Sequence, residues 1–324
     1  MSNDQPSWFG RGLLRRRNFL GAACLGWALL LSGVCRAEDP DYSRVADVIY
    51  GRKFGMALTM DVFQPNQGNG RGILLMVSGG YRSSHDAINP AFFQALMKRG
   101  YTVFAVVHGS QPRFIIPEIE LDIHRAVRFI RHNAANYHVD PAKLGITGAS
   151  SGGHLSLMLG TRGAPGKPSV PDPVDRESSE VQCVACFFPP TDFLNWGQAA
   201  EDGVGVGPTA QFHPAFGPLA TTEEGRRKLG ADISPINFVS SFMAPTLVIH
   251  GDADRVVPLF QAQLFEKRCK QAGAIYKLIV RPGKDHGWPE IPEEFNVFAD
   301  WFDQYLRGID PAVVKKPGLP PAAK

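Results

Sequence analysis

The feature that most limits the fold of this chain is a short segment rich in glycine and serine near its middle. The pentapeptide 148–152 has glycine at both ends and serine at its third and fourth positions. It follows the apolar run 144–147 and precedes 153–159, whose pattern is typical of a helix. When a strand turns this sharply into a helix, side chains two residues before and two after the serine collide, which requires glycine at both places. The spacing therefore predicts a strand–turn–helix unit with the side chain of Ser150 raised above a sheet.

Strand and helix signals alternate along most of the chain. The runs 72–77 and 101–107 are continuously apolar, as in strands covered on both faces, and the helical segment 91–99 lies between them. Strands that alternate with helices form a mostly parallel sheet with helices on both faces. Eight strands are predicted, the first two as an antiparallel pair: 45–50, 58–63, 72–77, 101–107, 143–147, 181–188, 247–250 and 276–280. Further helices are predicted at 117–136, 259–271 and 294–306.

The first 37 residues have the composition of an export signal. Three arginines at 15–17 precede an uncharged run of 16 residues, which is short for a membrane span. The segment 16–20 resembles the twin-arginine export motif, and the small side chains of Cys35 and Ala37 predict cleavage after Ala37. We therefore expect an exported protein, periplasmic or extracellular, with membrane anchoring through an uncleaved leader as the alternative.

The leader also accounts for the basic charge of the chain. The formal net charge is +3 over all 324 residues, while residues 1–37 alone carry five arginines and one aspartate, a net of +4. The remainder therefore has a net charge of −1, which gives no positive surface for nucleic acid or for an anionic membrane. We expect neither partner once the signal is cleaved, and the sequence makes no prediction of oligomeric state.

The cysteines indicate neither a metal site nor a disulfide framework. Only Cys183, Cys186 and Cys269 follow the leader, and an odd number does not fit a set of disulfides. Cys183 and Cys186 lie three residues apart in a predicted buried strand, so their side chains point to opposite faces of the sheet. The sequence carries no other metal-ligand motif, and we expect neither a metal nor an organic cofactor.

Residues 38–310 are predicted to form a single domain, followed by a flexible proline- and lysine-rich tail at 311–324. Two stretches rich in glycine, proline and polar residues, 162–180 and 191–232, interrupt the alternation of strands and helices. Both lie where loops leave the carboxyl ends of predicted strands. Each is either a surface insertion or a cap over a pocket.

Two later loops supply candidate partners for Ser150. A serine hydroxyl needs a base to become a nucleophile, and the base needs an acid that orients it. Catalytic groups of open α/β sheets gather on loops beyond the carboxyl ends of strands. Asp254 lies on the loop after the seventh predicted strand, with Asp252 as the alternative, and His286 lies on the loop after the eighth. The sequence therefore predicts Ser150 as nucleophile, His286 as base and Asp254 as acid.

These motifs, with the segments 122–131, 139–148 and 234–236, resemble those of a known superfamily. Over 45–306 the chain resembles α/β-hydrolases of the small secreted esterase branch, related to carbohydrate-esterase-like and feruloyl-esterase-like enzymes and to prolyl-oligopeptidase catalytic domains. The resemblance implies the α/β-hydrolase fold. It also implies that the substrate is a small-molecule carboxylic ester with a small acyl group, with carbohydrate as one class of alcohol, cleaved through an acyl-enzyme.

The resemblance further implies where an oxyanion is stabilised. The family carries a His-Gly-Gly-Gly-Trp type of loop after the third strand. This chain has Gly79 and Gly80 there, with Val77 and Ser78 in place of the His-Gly opening. The two glycines still allow backbone N–H groups to face an oxyanion, whereas the histidine that braces the family's loop is absent. The expected donors are the main-chain N–H groups of Ser151, Gly79 and Gly80.

Two alternative functions remain open at this point. A peptidase similar to prolyl oligopeptidase would use the same three residues, but the propeller-length N-terminal domain that gates peptides in those relatives is not part of this sequence. A non-catalytic exported binding protein of the same fold is disfavoured because the serine, aspartate and histidine are all present.

Overall fold

The computed structural model describes residues 41–310, and the predicted eight-stranded sheet is confirmed there. Its strands are β1 (Tyr42–Lys53), β2 (Met56–Pro65), β3 (Gly72–Met76), β4 (Thr102–Val107), β5 (Leu144–Ala149), β6 (Cys183–Phe187), β7 (Thr246–Gly251) and β8 (Tyr276–Arg281). The strand order is β1-β2-β4-β3-β5-β6-β7-β8. The β1–β2 and β2–β4 pairs are antiparallel, and every other neighbouring pair is parallel. The predicted leader and the tail at 311–324 lie outside the described residues.

Helices cover both faces of the sheet, as predicted. The described α-helices are α1 (Pro90–Lys98), α2 (Ile116–His132), α3 (Ser151–Arg162), α4 (Glu223–Ile233), α5 (Phe260–Ala272) and α6 (Ile291–Arg307). One apolar core includes Ile123 of α2, Leu155 of α3 and Phe265 of α5. A second core, on the other face, includes Phe93 of α1 and Phe298 of α6. No helix within residues 41–310 combines the length and the apolar composition needed to cross a membrane.

Strand β6 shows why the central strands are apolar throughout. All five of its residues are buried, because helices cover the sheet on both sides. Cys183 belongs to one core and Cys186 to the other, and both are free thiols. This confirms that the C-x-x-C spacing places the two sulfurs on opposite faces.

The two long insertions lie in different places. The segment 162–180 lies against α2: the guanidinium of Arg125 pairs with Asp172 at 2.8 Å and Asp175 at 2.9 Å, and His124 bonds Ser179 at 2.8 Å. It is a surface insertion. The segment 191–232 instead contributes aromatic side chains to a pocket beside Ser150, so it is a cap.

Candidate active site

Ser150 lies at the turn between β5 and α3 in a conformation that few non-glycine residues adopt, with φ +55° and ψ −122°. A Cβ atom at Gly148 would lie 2.5 Å from the backbone of Gly152, and a Cβ at Gly152 would lie 2.7 Å from the carbonyl oxygen of Met76. Both glycines are therefore required by close approach of the backbone. The N–H of Ser150 donates to the carbonyl of Phe187 at 3.1 Å, which holds the turn against β6.

The predicted base and acid come together with the serine. The hydroxyl of Ser150 donates to Nε2 of His286 at 2.9 Å, and Nδ1–H of His286 donates to a carboxylate oxygen of Asp254 at 2.8 Å. This network assigns the ring proton to Nδ1, because an ionised carboxylate can only accept, and it leaves Nε2 free to accept. The structure thus joins the three residues in one hydrogen-bonded chain across the ends of β5, β7 and β8.

The carboxylate of Asp254 is buried and fully supplied with donors. Its Oδ1 accepts from the N–H groups of Val256 and Val257, each at 2.9 Å. Its Oδ2 accepts from His286 and lies 3.3 Å from Nε2 of His250, whose N–H also donates to the Val257 carbonyl at 2.8 Å. Burial alone would raise the pKa of Asp254, but the hydrogen bonds from His250, His286 and the backbone outweigh it and lower the pKa to about 2. Asp254 therefore stays ionised wherever the protein is folded near neutral pH.

The loops that carry the acid and the base are tied together. The carboxylate of Asp285 accepts from the backbone N–H of Arg255 at 3.0 Å, from Nε of Arg255 at 2.8 Å, and from the N–H of His286 at 2.8 Å. Asp252 accepts from the N–H of Gly283 at 2.6 Å. At Gly251 the loops approach so closely that a Cβ atom would lie 2.1 Å from the carbonyl oxygen of Lys284. These contacts fix the distance between Asp254 and the imidazole.

Two backbone N–H groups beside Ser150 have no acceptor of their own. Ser151 is the first residue of α3, so its N–H has no partner within the helix. The N–H of Gly80 has no hydrogen-bond acceptor within residues 41–310, and both residues line the pocket at Ser150. Gly79 differs from the expectation, because its N–H donates to the Arg82 carbonyl at 2.9 Å in a small antiparallel bridge. Of the two glycines, Gly80 lines the pocket and has an N–H without an acceptor in the described part of the chain.

Aromatic side chains of the cap enclose the pocket beside Ser150. Its walls include Phe193, Trp196, Phe212 and Phe216 from the cap, together with Tyr81. The enclosed volume is about 20 Å³, room for roughly one water-sized sphere. The ring of Phe212 lies over Gly80, since a Cβ at that glycine would be 2.7 Å from it. A narrow apolar pocket thus opens directly at the serine and the two free N–H groups.

Metal-ligating groups converge at one place in the described part of the chain, away from this pocket. Donor atoms of Asp47, Asp61 and His85 lie close together, but the guanidinium of Arg44 already bonds the Asp61 carboxylate. A positive charge on that carboxylate opposes cation binding. A larger groove of about 820 Å³ lies between β1, α2 and 172–175, and it contains none of the predicted site residues.

Several contributors to the site were not predicted as such. Gln111 donates to the Gly80 carbonyl at 2.7 Å, yet nothing in its neighbourhood in the sequence indicates this contact. His250 precedes Asp254 by four residues at the end of β7, and that proximity to the acid is the only signal for its role. His154, by contrast, bonds the Tyr81 hydroxyl at 3.2 Å and the Ile233 carbonyl at 2.7 Å, and is a structural histidine.

The sheet order, the covering helices and the nucleophile-type turn define an α/β-hydrolase fold. The sequence profile of the BD-FAE family matches residues 60–269, well over half of the chain. The chain belongs to the BD-FAE family.

Individual relatives are more distant. A probable carboxylic ester hydrolase, LipM of Mycobacterium tuberculosis, is 26% identical over 242 residues, covering 71% of this chain and 53% of that protein. The ethyl acetate hydrolase of Pseudomonas putida is 26% identical over 262 residues, which cover 78% of this chain and 77% of that protein. A truncated carbohydrate esterase from gut microbiota superposes with a TM-score of 0.71 at 27% identity, covering 84% of this chain and 99% of that one. The chain spans about half the length of the mycobacterial relatives that it matches.

Proposed function

We propose that this protein hydrolyses carboxylic esters of a small acyl group through Ser150, His286 and Asp254. The observation that carries the proposal is the hydrogen-bonded chain from Ser150 through His286 to Asp254, at 2.9 and 2.8 Å, beside two free backbone N–H groups. The matched family and the named esterases among its relatives support ester hydrolysis as the reaction. A small-molecule ester, on a carbohydrate or another alcohol, is the proposed substrate.

In the proposed mechanism the Ser150 oxygen attacks the acyl carbon while its proton passes to Nε2 of His286. Asp254 holds Nδ1–H and stabilises the imidazolium that forms. The N–H groups of Ser151 and Gly80 donate to the carbonyl oxygen as it becomes an oxyanion. The imidazolium then protonates the leaving alcohol, which departs and leaves an acyl-enzyme on Ser150. Water, activated by the same imidazole, releases the carboxylic acid and restores the serine.

The pocket supports a short acyl chain. The space of about 20 Å³ between Ser150 and the rings of Phe193, Trp196 and Phe212 has room for a group about the size of one water molecule, such as the methyl of an acetyl ester. Each additional methylene would have to displace an aromatic ring, and close-packed side chains resist such displacement. We therefore propose that activity falls as the acyl chain lengthens.

The proposal is tested with purified protein on nitrophenyl esters of increasing acyl length and on an aminoacyl anilide. We expect turnover of the acetate, a decline toward longer esters, and no turnover of the anilide. If the anilide is hydrolysed faster than the esters, the esterase hypothesis is wrong and the peptidase hypothesis takes its place. Turnover of neither would favour a binding protein.

The nucleophile is tested by substitution and by covalent labelling. Ser150→Ala is expected to remove most activity, down to the residual of about 10³–10⁴ over water that the oxyanion donors and substrate binding supply on their own. An alkyl phosphonate is expected to label Ser150, as read by mass spectrometry of the peptide. Retained turnover in Ser150→Ala, or a label on Ser151, would refute the assignment.

A further inference from the structure

We infer that the side chains of Ser151 and Ser78 hold the loop 78–82 so that the N–H of Gly80 faces the pocket. The inference rests on the proposed function, because it gives these side chains a part in stabilising the oxyanion of ester cleavage. Both are positioning residues that act through the backbone of Gly80. Neither hydroxyl touches the reacting atoms.

The contacts that carry this inference lie behind the pocket. The Oγ of Ser151 accepts from the backbone N–H of Tyr81 at 3.1 Å and shares a hydrogen bond with Oγ of Ser78 at 3.0 Å. Ser151 is only 2% exposed and Tyr81 only 3%, so water does not compete for these groups. One end of α3 is thereby joined to the loop after β3 at the residue that follows Gly80.

The loop needs such support because of its backbone conformation. Gly80 has φ +54° and Tyr81 has φ +62°, so two consecutive residues are left-handed and one of them is not glycine. A non-glycine residue persists there only when its surroundings determine it. On the opposite side, the amide of Gln111 donates to the Gly80 carbonyl at 2.7 Å and its backbone N–H donates to the Tyr81 carbonyl at 3.1 Å. The peptide unit between Gly80 and Tyr81, which directly follows the N–H proposed as donor, is thus held from both sides.

Ser151 therefore has two separable parts in the site. Its main-chain N–H is offered to the oxyanion, and its side chain fixes the second donor at Gly80. Val77 and Ser78 stand where the resembling family has the His-Gly opening of its loop. The Ser78–Ser151 pair supports the loop in this chain, in which that histidine is absent.

The first test separates the side chain of Ser151 from its backbone. Ser151→Ala keeps the N–H and removes Oγ, and we expect kcat for the acetate ester to fall about tenfold, part of the 10²–10³ that a lost oxyanion donor costs. KM should stay within about twofold, because the contact matters in the transition state. The matched control is Ser156→Ala, a buried serine of the same helix whose Oγ bonds the Gly152 carbonyl at 2.7 Å. That variant should keep the wild-type kcat.

Ser78→Ala should give a smaller loss, because the Tyr81 N–H keeps its acceptor on Ser151. The double variant should be no slower than Ser151→Ala, since Ser78 acts only through Ser151. Additive losses in the double variant, or a kcat of Ser151→Ala equal to that of Ser156→Ala, would overturn the inference.

Amide hydrogen exchange over 78–83 tests the same contact without turnover. The Tyr81 amide should exchange at least about tenfold faster in Ser151→Ala than in the wild type or in Ser156→Ala. Unchanged exchange overturns the inference whatever the activity. A wild type without ester turnover refutes the proposed function alone, and the exchange comparison then still decides whether the hydroxyl holds the loop.

Discussion

At the scale of single residues, the environment of Asp254 decides how well the imidazole is held. Its carboxylate accepts hydrogen bonds from two imidazoles and two backbone N–H groups, and these bonds hold the carboxylate in one orientation. The neighbouring acids Asp252 and Asp285 instead accept from backbone and arginine groups at the loop surface. Of these three acids, only Asp254 bonds the ring of His286.

This difference predicts the effects of three asparagine substitutions on kcat. Asp254→Asn should cost on the order of 10⁴, because the amide no longer fixes the ring tautomer. Asp285→Asn should cost at most about tenfold, since it weakens an exposed ion pair that ties the loops. Asp252→Asn should stay close to the wild type, because an amide oxygen can still accept from Gly283. Steady-state kinetics on one ester measure all three, and a larger loss at Asp252 or Asp285 than at Asp254 would contradict the acid assignment.

The lowered pKa of Asp254 also predicts how stability depends on pH. Because the folded-state pKa is about 2 and an aspartate in an unfolded chain titrates near about 4, ionised Asp254 stabilises the fold above about pH 4. This contribution, on the order of 2 kcal/mol, is lost as the pH falls from about 4 to about 2. The difference in unfolding free energy between wild type and Asp254→Asn should therefore shrink over that interval. Denaturant titrations at several pH values check this, and a constant difference would contradict it.

At the scale of elements, the cap segment Gly207–Ala215 sets the depth of the pocket. It forms a 3₁₀ helix whose Phe212 ring lies over Gly80, while Thr209 lines the pocket nearby. The ring of Phe212 is thus a wall of the pocket beside Gly80, one of the two proposed oxyanion donors.

Phe212→Ala should shift the substrate preference toward longer acyl chains. Removal of the ring makes room for two or more methylenes, so the ratio of kcat/KM for butyrate over acetate should rise about tenfold or more. The matched control is Phe242→Ala, which removes the same ring from a side chain that is 96% exposed. The control should keep the wild-type ratio. If the butyrate-to-acetate ratio is unchanged in Phe212→Ala, the acyl group does not bind beside Phe212.

Helix α2 carries a buried carboxyl group that should make stability fall with rising pH. Burial raises the pKa of Glu120 to about 8, only partly offset by Arg162, whose guanidinium lies 3.6 Å away. In the unfolded chain the group ionises near about pH 4.5, so the folded state binds the extra proton between about pH 4.5 and 8 and loses stability across that range.

Glu120→Gln should remove this slope and raise the unfolding free energy at about pH 8. Glu224→Gln, an exposed acid on α4, is the control and should leave the slope as it is in the wild type. Thermal or denaturant unfolding at pH values across the interval measures both. Equal slopes in wild type and Glu120→Gln would show that another group titrates.

Across the described chain, the features that could be predicted from the sequence are those that a local residue pattern encodes. Apolar runs that alternate with helical patterns identified the eight strands, and the paired glycines around Ser150 identified the turn, because both signals can be read from neighbouring residues in the sequence. The order of serine, aspartate and histidine after the fifth, seventh and eighth strands then led to three residues that the structure joins.

Features that depend on distant packing could not be predicted in this way. Gly80 rather than Gly79 faces the pocket because Ser151 and Gln111 hold Tyr81 and Gly80 from two sides. Of two similar insertions, 191–232 covers the site because Phe193 and Phe216 pack edge to face there, 5.5 Å apart. Neither contact leaves a periodic signal in the sequence.

The export signal predicted at residues 1–37 gives a testable expectation for the precursor in the cell. Replacement of Arg16 and Arg17 by lysine should retain the precursor in the cytoplasm, because the twin-arginine receptor reads the pair as an address and not as charge. Mass spectrometry of exported wild-type protein should find Glu38 as its first residue. A lipid on Cys35, or normal export of the lysine variant, would contradict this interpretation.

The close approach of the Lys284 backbone to Gly251 limits which substitutions position 251 tolerates. Any side chain at codon 251 would meet the Lys284 carbonyl oxygen at 2.1 Å and push apart the loops that carry Asp254 and His286. In a library randomised at that codon and selected for ester hydrolysis, glycine should be the survivor, although position 251 belongs to neither the nucleophile nor the acid–base pair. Directed evolution toward new substrates therefore has freedom in the cap and none at the junction between β7 and β8.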